Sequence, residues 1–204
     1  MSYEQSVFII DDDEGVREGL AILLDSIGID AQSFSSGSAF LDVYNENMTG
    51  CLVLDIRMPK MSGLEVQQKL KNLNCSLPII FITGHGDIPM AVEAMRLGAI
   101  DFIRKPFDEQ HLIDRINEAL IFNESQREKL LDKHKNKINV ESLSNREREV
   151  FERVTDGAMN KVIAYDLSIS ERTVEVHRSH VMAKLGAKTL AQLVRSKIMY
   201  EQLN

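Results

Sequence analysis

Short apolar runs alternate with stretches of helical periodicity over the first 122 residues of the chain. Continuous apolar runs predict buried strands at 7–10, 31–34, 51–54, 79–82 and 100–103, of which 31–34 is the weakest. Apolar residues at helical spacing predict helices at 16–27, 38–43, 63–73 and 88–97, and a further helix begins near Asp108. This alternation, with strands that are apolar throughout, is typical of a doubly wound parallel sheet covered by helices on both faces.

Beyond Asp108 the pattern is only helical. Its first stretch continues through a polar segment to Leu131 and a basic segment to Asn139, which predicts a helix that leaves its domain and becomes a linker. Residues 143–203 hold helical patterns broken at Gly157, 168–170 and Gly186. The predicted organisation is therefore an α/β domain at 1–122, a helical linker at 123–139 and an all-α domain of four helices at 140–204.

Charge is distributed unevenly along the chain. The net charge of −7 combines −11 over residues 1–124, +3 over 125–139 and +1 over 140–204. An acidic front half and a neutral-to-basic back half indicate domains with different partners, although solubility alone is an equally good explanation of the asymmetry. The longest apolar runs, such as 77–83, are too short to cross a bilayer, and residues 1–5 do not resemble a signal peptide. We therefore expect a cytoplasmic protein that does not bind membranes.

Polar features follow four of the predicted strands. They are the acidic run 11–14, Asp55, Thr83 and the pair Lys105-Pro106. In an open parallel sheet, ligands bind at the carboxyl ends of the strands. One carboxylate after a strand is more often a helix cap than a ligand, but four features in this order predict a site. Clustered carboxylates need a cation such as Mg²⁺, a carboxylate can accept a phosphoryl group, and a hydroxyl and an ammonium can bind the phosphoryl oxygens.

Four segments resemble the receiver domain of two-component response regulators, and their detailed residue sequence is similar to that of the FixJ subfamily. They are FIIDDDEGVRE, VLDIRMPKMSG, FITGHGDIPMAVEAM and DFIRKPF. The resemblance covers residues 5–122. It implies a flavodoxin-like sheet with strand order 2-1-3-4-5, phosphorylation of Asp55 by a sensor histidine kinase, and formation of a homodimer on phosphorylation.

The same resemblance implies roles for individual residues. Asp55, Asp12, Asp11 through water and the backbone carbonyl of Arg57 would hold Mg²⁺, for which Mn²⁺ can substitute. Thr83 and Lys105 would bind the phosphoryl group, with a cis peptide bond between Lys105 and Pro106, and Phe102 would be the switch aromatic or plain core. Arg57 and His85 flank the site and would influence hydrolysis of the acyl phosphate; a solvated surface role is equally open for both.

The C-terminal domain carries the signals of a helix-turn-helix. Ser144 and Glu147 form a capping box that opens its first helix. A short helix at 161–167, the turn 168–170 and a helix at 171–185 with Ser170 as N-cap form the two-helix motif. A last helix begins near Thr189.

The segment LSNREREVFERVTDGAMNKVIAYDLSISERTVEVHRSHVMAKLGA, residues 143–187, resembles the LuxR/NarL-type DNA-binding domain. The resemblance implies that 171–185 is the recognition helix, whose exposed face carries Glu175, Arg178, Ser179 and Met182. Arg178 is expected to read guanine, with Ser179 and Val176 at other base edges and Glu175 accepting from cytosine. The residues expected to contact phosphates are Lys161, Arg172, Thr173 and Lys184. For any one of these residues, a solvated helix face is an equally good interpretation.

The expected function is that of a transcription factor that binds double-stranded promoter DNA, and RNA polymerase if it is an activator. Two other classes were weighed. A phosphohydrolase of the haloacid-dehalogenase-like class needs a second aspartate two residues after Asp55, where this chain has Arg57. A quorum-sensing regulator that binds a small molecule needs an apolar cavity in the N-terminal half. Neither requirement is met by the sequence, so we expect no turnover enzyme, only self-catalysed phosphotransfer and dephosphorylation.

Overall fold

A computed structural model describes residues 5–84 and 88–202, and these form two compact units, Met1–Arg127 and Glu128–Asn204. His85, with its expected influence on hydrolysis, lies outside the described residues. The first unit contains, in order, β1 (Ser6–Ile10), α1 (Glu14–Ser26), β2 (Asp30–Phe34), α2 (Gly37–Val43), β3 (Gly50–Asp55), α3 (Gly63–Asn72), β4 (Ile79–Thr83), α4 (Ile88–Arg96), β5 (Asp101–Arg104) and the start of α5 (Glu109–Glu141).

The strands form one parallel sheet in the order β2-β1-β3-β4-β5, which confirms the predicted fold. Successive residues of each central strand point to opposite faces, so one continuous apolar run supplies two cores. On one face, Phe8 and Leu52 pack with Phe40 of α2 and Val66 of α3. On the other face, strand residues pack against α1 and α5. The members of this second core include Val7, Val53, Ile80, Leu20, Leu24, Leu112 and Ile116.

Helix α5 is continuous from Glu109 to Glu141, and its residues are divided between the two units. Asn123 is fully buried in the first unit, where its Oδ1 accepts from the Gly50 backbone N–H at 3.1 Å and its Nδ2 donates to the Ser76 carbonyl at 3.2 Å. The first unit thus continues beyond residue 122 to Arg127. The predicted linker 123–139 therefore begins with a residue that is part of the first core.

The second unit is helical. It consists of the end of α5, α6 (Asn145–Thr155), α7 (Asn160–Leu167), α8 (Glu171–Leu185) and α9 (Leu190–Glu201). Its core joins Val140 at the end of α5 to Phe151, Ile163, Val174 and Leu193 of the four later helices. Within the stretches 5–84 and 88–202, no helix is both long enough and apolar enough to cross a membrane.

Candidate functional site

Three of the predicted strand-end residues meet at the carboxyl edge of the sheet. Asp11 follows β1 and Asp55 ends β3, and both are almost completely buried. The Lys105 ammonium, just after β5, lies 2.6 Å from Asp11 Oδ2 and 3.4 Å from Asp55 Oδ1. Thr83 ends β4, is also buried, and accepts the Lys105 backbone N–H at its carbonyl at 2.8 Å. The site is therefore two buried carboxylates that share one lysine, which neutralises only part of their charge.

Burial raises the pKa of the Asp55 carboxyl, and the neighbouring charge of Asp11 raises it further. The Lys105 ammonium and a hydrogen bond from the Arg57 backbone N–H to Asp55 Oδ2, at 2.7 Å, act in the opposite direction and lower the pKa. A buried carboxylate beside a like charge attracts any cation that can replace part of its lost hydration. The arrangement therefore favours binding of another cation in place of Lys105 when Lys105 moves away.

The residues present fit Mg²⁺, because carboxylate and main-chain carbonyl oxygens are the ligands that this ion prefers. Receiver domains in general bind it at their acidic site, which here is formed by Asp11 and Asp55. Asp12 is exposed at the edge of this site. In the part of the chain that the structure describes, no three His, Cys, Asp or Glu side chains are already gathered around a metal position. Asp11 and Asp55, the carboxylates that would hold the metal, are both in contact with Lys105.

Neighbouring residues shape the site. Asp13 caps α1, because its side chain accepts from the Val16 backbone N–H, and this agrees with its omission from the predicted ligands. The Lys105-Pro106 peptide bond is cis, as the resemblance implies. Phe102 is partly buried against the core next to β4, and the Arg57 side chain is exposed.

Gly63 is a site residue that the sequence interpretation missed. A Cβ at this position would lie 2.3 Å from the Asp55 carbonyl oxygen, so any side chain here would displace the end of β3. The signal was present in the motif MPKMSG, where glycine directly follows the N-cap Ser62 of α3. The close approach of α3 to β3 fixes the position of Asp55.

The helix-turn-helix is formed by α7 and α8. Ser168 adopts a left-handed conformation at the end of α7, and Ser170 caps α8 by accepting from the Thr173 backbone N–H at 3.1 Å. Val174 and Val181 are buried, while Glu175, Val176 and Ser179 are exposed on the opposite side of α8. Lys161 and Arg172 are exposed too, and Thr173 is half-buried. These six residues, which the sequence predicts to contact DNA, thus lie on the two helices of the motif.

Two residues assigned to the exposed face of α8 do not lie there. Met182 is half-buried and packs against the core of the second unit, and Arg178 is half-buried with its NH1 donating to Asn160 Oδ1 at 2.6 Å. The reason is helical geometry, since Arg178 follows the buried Val174 by four residues and precedes the buried Val181 by three, so all three share one side of the helix. The exposed face of α8 is narrower than predicted.

Lys184 is also engaged within the protein. Its ammonium donates to Glu147 Oε2 at 2.7 Å and lies 3.4 Å from the Ser142 carbonyl oxygen. Glu147 is buried, and it completes the predicted capping box by accepting from the Ser144 backbone N–H. The predicted contact of Lys184 with a phosphate would therefore require it to leave or share this carboxylate. Glu147 itself joins the start of α6 to the end of α8.

We expect this ion pair to make the stability of the second unit depend on pH. The hydrogen bond from Lys184, aided by the Ser144 N–H, lowers the pKa of Glu147 from 4.5 to about 2. A carboxyl whose pKa falls on folding stabilises the folded state above its ordinary pKa, and this contribution disappears as pH falls toward 2. Glu147→Gln should therefore destabilise the domain by about 1–3 kcal/mol at pH 7, and the deficit should shrink between pH 5 and pH 2.

Calorimetric unfolding of the variant and the wild type across this pH range is the measurement. Glu149→Gln is the matched control, because Glu149 forms an ion pair with Arg146 at 2.8 Å on an exposed surface. Loss of this exposed pair should change the free energy of unfolding little at any pH. An equal deficit at pH 7 and pH 2 would assign the effect to packing instead of charge.

Comparisons with known proteins agree with this division. A model of the response regulator receiver domain matches residues 7–117, and a model of bacterial regulatory proteins of the LuxR family matches residues 141–196. The response regulator TodT of Pseudomonas putida is 49% identical over 189 residues, or 93% of this chain and 83% of TodT. The transcriptional regulatory protein FixJ of Rhizobium meliloti strain 1021 is 46% identical over 192 residues, or 94% of each chain.

Solved structures give the same result. The response regulator StyR is 45% identical and matches with a TM-score of 0.87, covering 97% of this chain and 100% of StyR. Full-length FixJ from B. japonicum is 40% identical with a TM-score of 0.61, and each chain is covered completely. The α/β unit with its acidic edge and the helix-turn-helix unit together define a response regulator with a DNA-binding output domain. The chain belongs to the family of two-component response regulators that combine a receiver with a LuxR-type domain, as FixJ and TodT do.

This membership confirms the predicted family and fold. The chain is a transcriptional response regulator and not a member of an enzyme family, its receiver implies a histidine kinase as partner, and its LuxR-type domain implies binding to DNA.

Proposed function

We propose that Asp55 accepts a phosphoryl group from a sensor histidine kinase, and that the phosphorylated receiver forms a homodimer whose C-terminal domains bind promoter DNA. The observation that carries this proposal is the meeting of Asp11, Asp55 and Lys105 at the edge of the sheet. In the proposed step, an Asp55 carboxylate oxygen attacks phosphorus, the P–N bond to the donor histidine breaks, and an acyl phosphate forms.

The residues around Asp55 have complementary roles in this proposal. Mg²⁺ would be held by Asp11, Asp12, Asp55 and the Arg57 carbonyl. The bound metal would neutralise the charge of the incoming phosphoryl group. Lys105 leaves the two carboxylates and donates to a phosphoryl oxygen, and the Thr83 hydroxyl donates to another. Phe102 then packs further into the space next to Thr83. One lysine thus serves both the unphosphorylated and the phosphorylated state.

We place the docking surface for the donor protein at a cleft beside Lys105. A cleft of about 350 Å³ lies beside Lys105, between α1 and the segment that leads from β5 to α5. Its wall is mainly apolar and includes Val16, Leu20 and Phe107. A kinase domain that brings a phosphohistidine to Asp55 must approach this edge of the sheet, and an apolar cleft there would bind its complementary side chains.

In the DNA-binding domain, we place base recognition on the exposed side of α8, at Glu175, Val176 and Ser179. Lys161, Arg172 and Thr173 lie where they can donate to phosphates, and Lys184 can do so only by sharing its ammonium with Glu147. Arg178 also contributes to DNA binding. If the protein activates transcription, RNA polymerase is a further partner. The proposed functional domains are 1–122 and 140–204, joined by the helical linker 123–139, whose first residue, Asn123, also packs in the first core.

We expect Ser179 to affect the choice of sequence and Lys161 to affect affinity for all sequences. Ser179→Ala should relax preference at a single base pair by about 1–3 kcal/mol. Lys161→Ala should weaken all duplexes alike and lower the slope of log affinity against log salt by about one. The measurement is competition binding at several salt concentrations, on sequences selected from a random duplex library by the phosphorylated protein.

Lys133→Ala, which also removes a lysine but lies on α5, outside the helix-turn-helix motif, is the charge-matched control and should leave both the affinity and the salt slope unchanged. Failure of the phosphorylated protein to select any duplex would overturn the proposed function itself.

A further inference from the structure

Arg178 differs from its neighbours on the recognition helix by the side on which it lies. Its guanidinium donates to Asn160 Oδ1 at 2.6 Å, and both residues are half-buried. Glu175 and Ser179 are exposed on the other side of α8. The Arg178 guanidinium is therefore directed toward α7 and away from the face that would enter a DNA groove.

Asn160 is the first residue of α7, and its side chain does not cap that helix, because the N-cap is Met159 without a side-chain hydrogen bond. The side-chain amide oxygen of Asn160, Oδ1, instead joins the two helices of the motif by accepting from Arg178. In a helix-turn-helix the first helix crosses the DNA backbone, and the second enters the groove. A guanidinium held at the beginning of the first helix therefore lies on the side of the phosphates.

We infer that Asn160 is a positioning residue that holds Arg178 beside α7, so that Arg178 strengthens binding to every DNA sequence and does not select a base. Arginine has five N–H donors, and the bond to Asn160 takes one, which leaves others for a phosphate oxygen. A bidentate contact to guanine would require the guanidinium to leave Asn160. The Asn160 side-chain oxygen would then lose its charge-assisted hydrogen bond in a half-buried position. This inference rests on the proposed DNA binding and replaces the expectation that Arg178 reads guanine.

The test uses the full chain after treatment with an acyl-phosphate donor and Mg²⁺, and it measures affinity for a panel of single-base variants of a selected duplex. Asn160→Ala and Arg178→Ala should each lower the affinity of the protein for DNA by about tenfold or more, since each removes a hydrogen bond to a charged group. For a given variant, this factor should be the same for every duplex in the panel. Base preference should stay that of the wild type. Arg178→Ala should lower the salt slope by about one.

A double-mutant cycle separates positioning from general damage. Asn160→Ala should add little to Arg178→Ala, because the two residues act together, but should add fully to Arg172→Ala on the outer side of α8. Thermal melting checks that each variant folds. If an alanine variant is unstable, Asn160→Ser and Arg178→Lys provide the same readouts.

The possible failures are distinct. Relaxed preference at one base pair in Arg178→Ala would show that Arg178 reads a base, which would overturn the inference and leave the proposed function intact. Full additivity of Asn160→Ala with Arg178→Ala, or no effect of Asn160→Ala, would remove the positioning role. A wild-type protein that selects no duplex would overturn the proposed function as well.

Discussion

Protein carrying Asp55→Ala will take up no phosphoryl group from a small acyl-phosphate donor in the presence of Mg²⁺, whereas the wild type will take up one. Asp55 is the carboxylate that the end of β3, the close approach of Gly63 and the Lys105 ammonium fix at the edge of the sheet. No other carboxylate is expected to react. The measurement is intact mass before and after treatment, and the expected effect is complete loss of the adduct.

Two further variants make this result specific. Asp12→Ala should lose metal-dependent labelling and remain folded, because Asp12 is exposed and is proposed to hold the metal. Asp13→Ser removes the adjacent carboxylate and keeps a good N-cap for α1, so it should be labelled like the wild type. A full adduct on Asp55→Ala would sink the assignment of the phosphoacceptor.

Phosphorylation should convert the protein from a monomer to a dimer, and a charge placed on α4 should prevent this. Ile88, Val92 and Met95 are exposed apolar residues of α4, with exposures of 81%, 50% and 47%. Helix α4 and strand β5 follow the site residue Thr83 in the chain, and β5 carries Phe102. A shift of Thr83 and Phe102 would therefore alter the surface formed by α4 and β5 directly. Phosphorylation would bias an existing equilibrium between an inactive and an active conformation of the receiver. Moving such a two-state equilibrium from 1:99 to 99:1 takes about 5.5 kcal/mol.

Val92→Glu should keep the phosphorylated protein monomeric in light scattering. It should also abolish the gain in DNA affinity, at least about a hundredfold, that joining two binding domains provides. Val43→Glu is the matched control, because Val43 has the same 50% exposure but lies on α2. It should dimerise and bind like the wild type.

Masking of the recognition helix by the receiver is the competing mechanism. The fragment Glu128–Asn204 distinguishes the two, since it corresponds to the second compact unit and keeps the hydrogen bond from Asn136 on α5 to the Ser196 carbonyl on α9. If dimerisation controls binding, this fragment should bind no better than the unphosphorylated chain. A monomeric fragment that bound as tightly as the phosphorylated protein would establish masking.

Most of the receiver fold could be predicted from local patterns in the sequence. The apolar runs before Asp11, Asp55 and Thr83 specify strands, and strand ends in a parallel sheet meet at one edge. What the sequence could not give is the ion pair between Lys105 and the two carboxylates, because it depends on side-chain positions between residues far apart in the chain. The burial of Asn123 was missed for a similar reason, since its partners Gly50 and Ser76 lie in other elements.

The DNA-binding domain shows a different limit. Its helices and caps followed from Ser144, Ser170 and the breaks at glycine, but the orientation of Arg178 was predicted incorrectly although its spacing from Val174 and Val181 was visible. The resemblance had placed Arg178 on the exposed face of the recognition helix, and its spacing from the buried valines was not weighed against that. The bond to Asn160 shows that a charged residue in an inward stripe can be satisfied by a neighbouring helix.

Glu147 gives the second unit a property that neither helix has alone. One carboxylate accepts from the first turn of α6 and from Lys184 in the last turn of α8. Fraying of α6 at its beginning would therefore release the end of α8 at the same time. The two ends form one cooperative unit of local opening, so the mobility of α8 is set in part by a residue of α6.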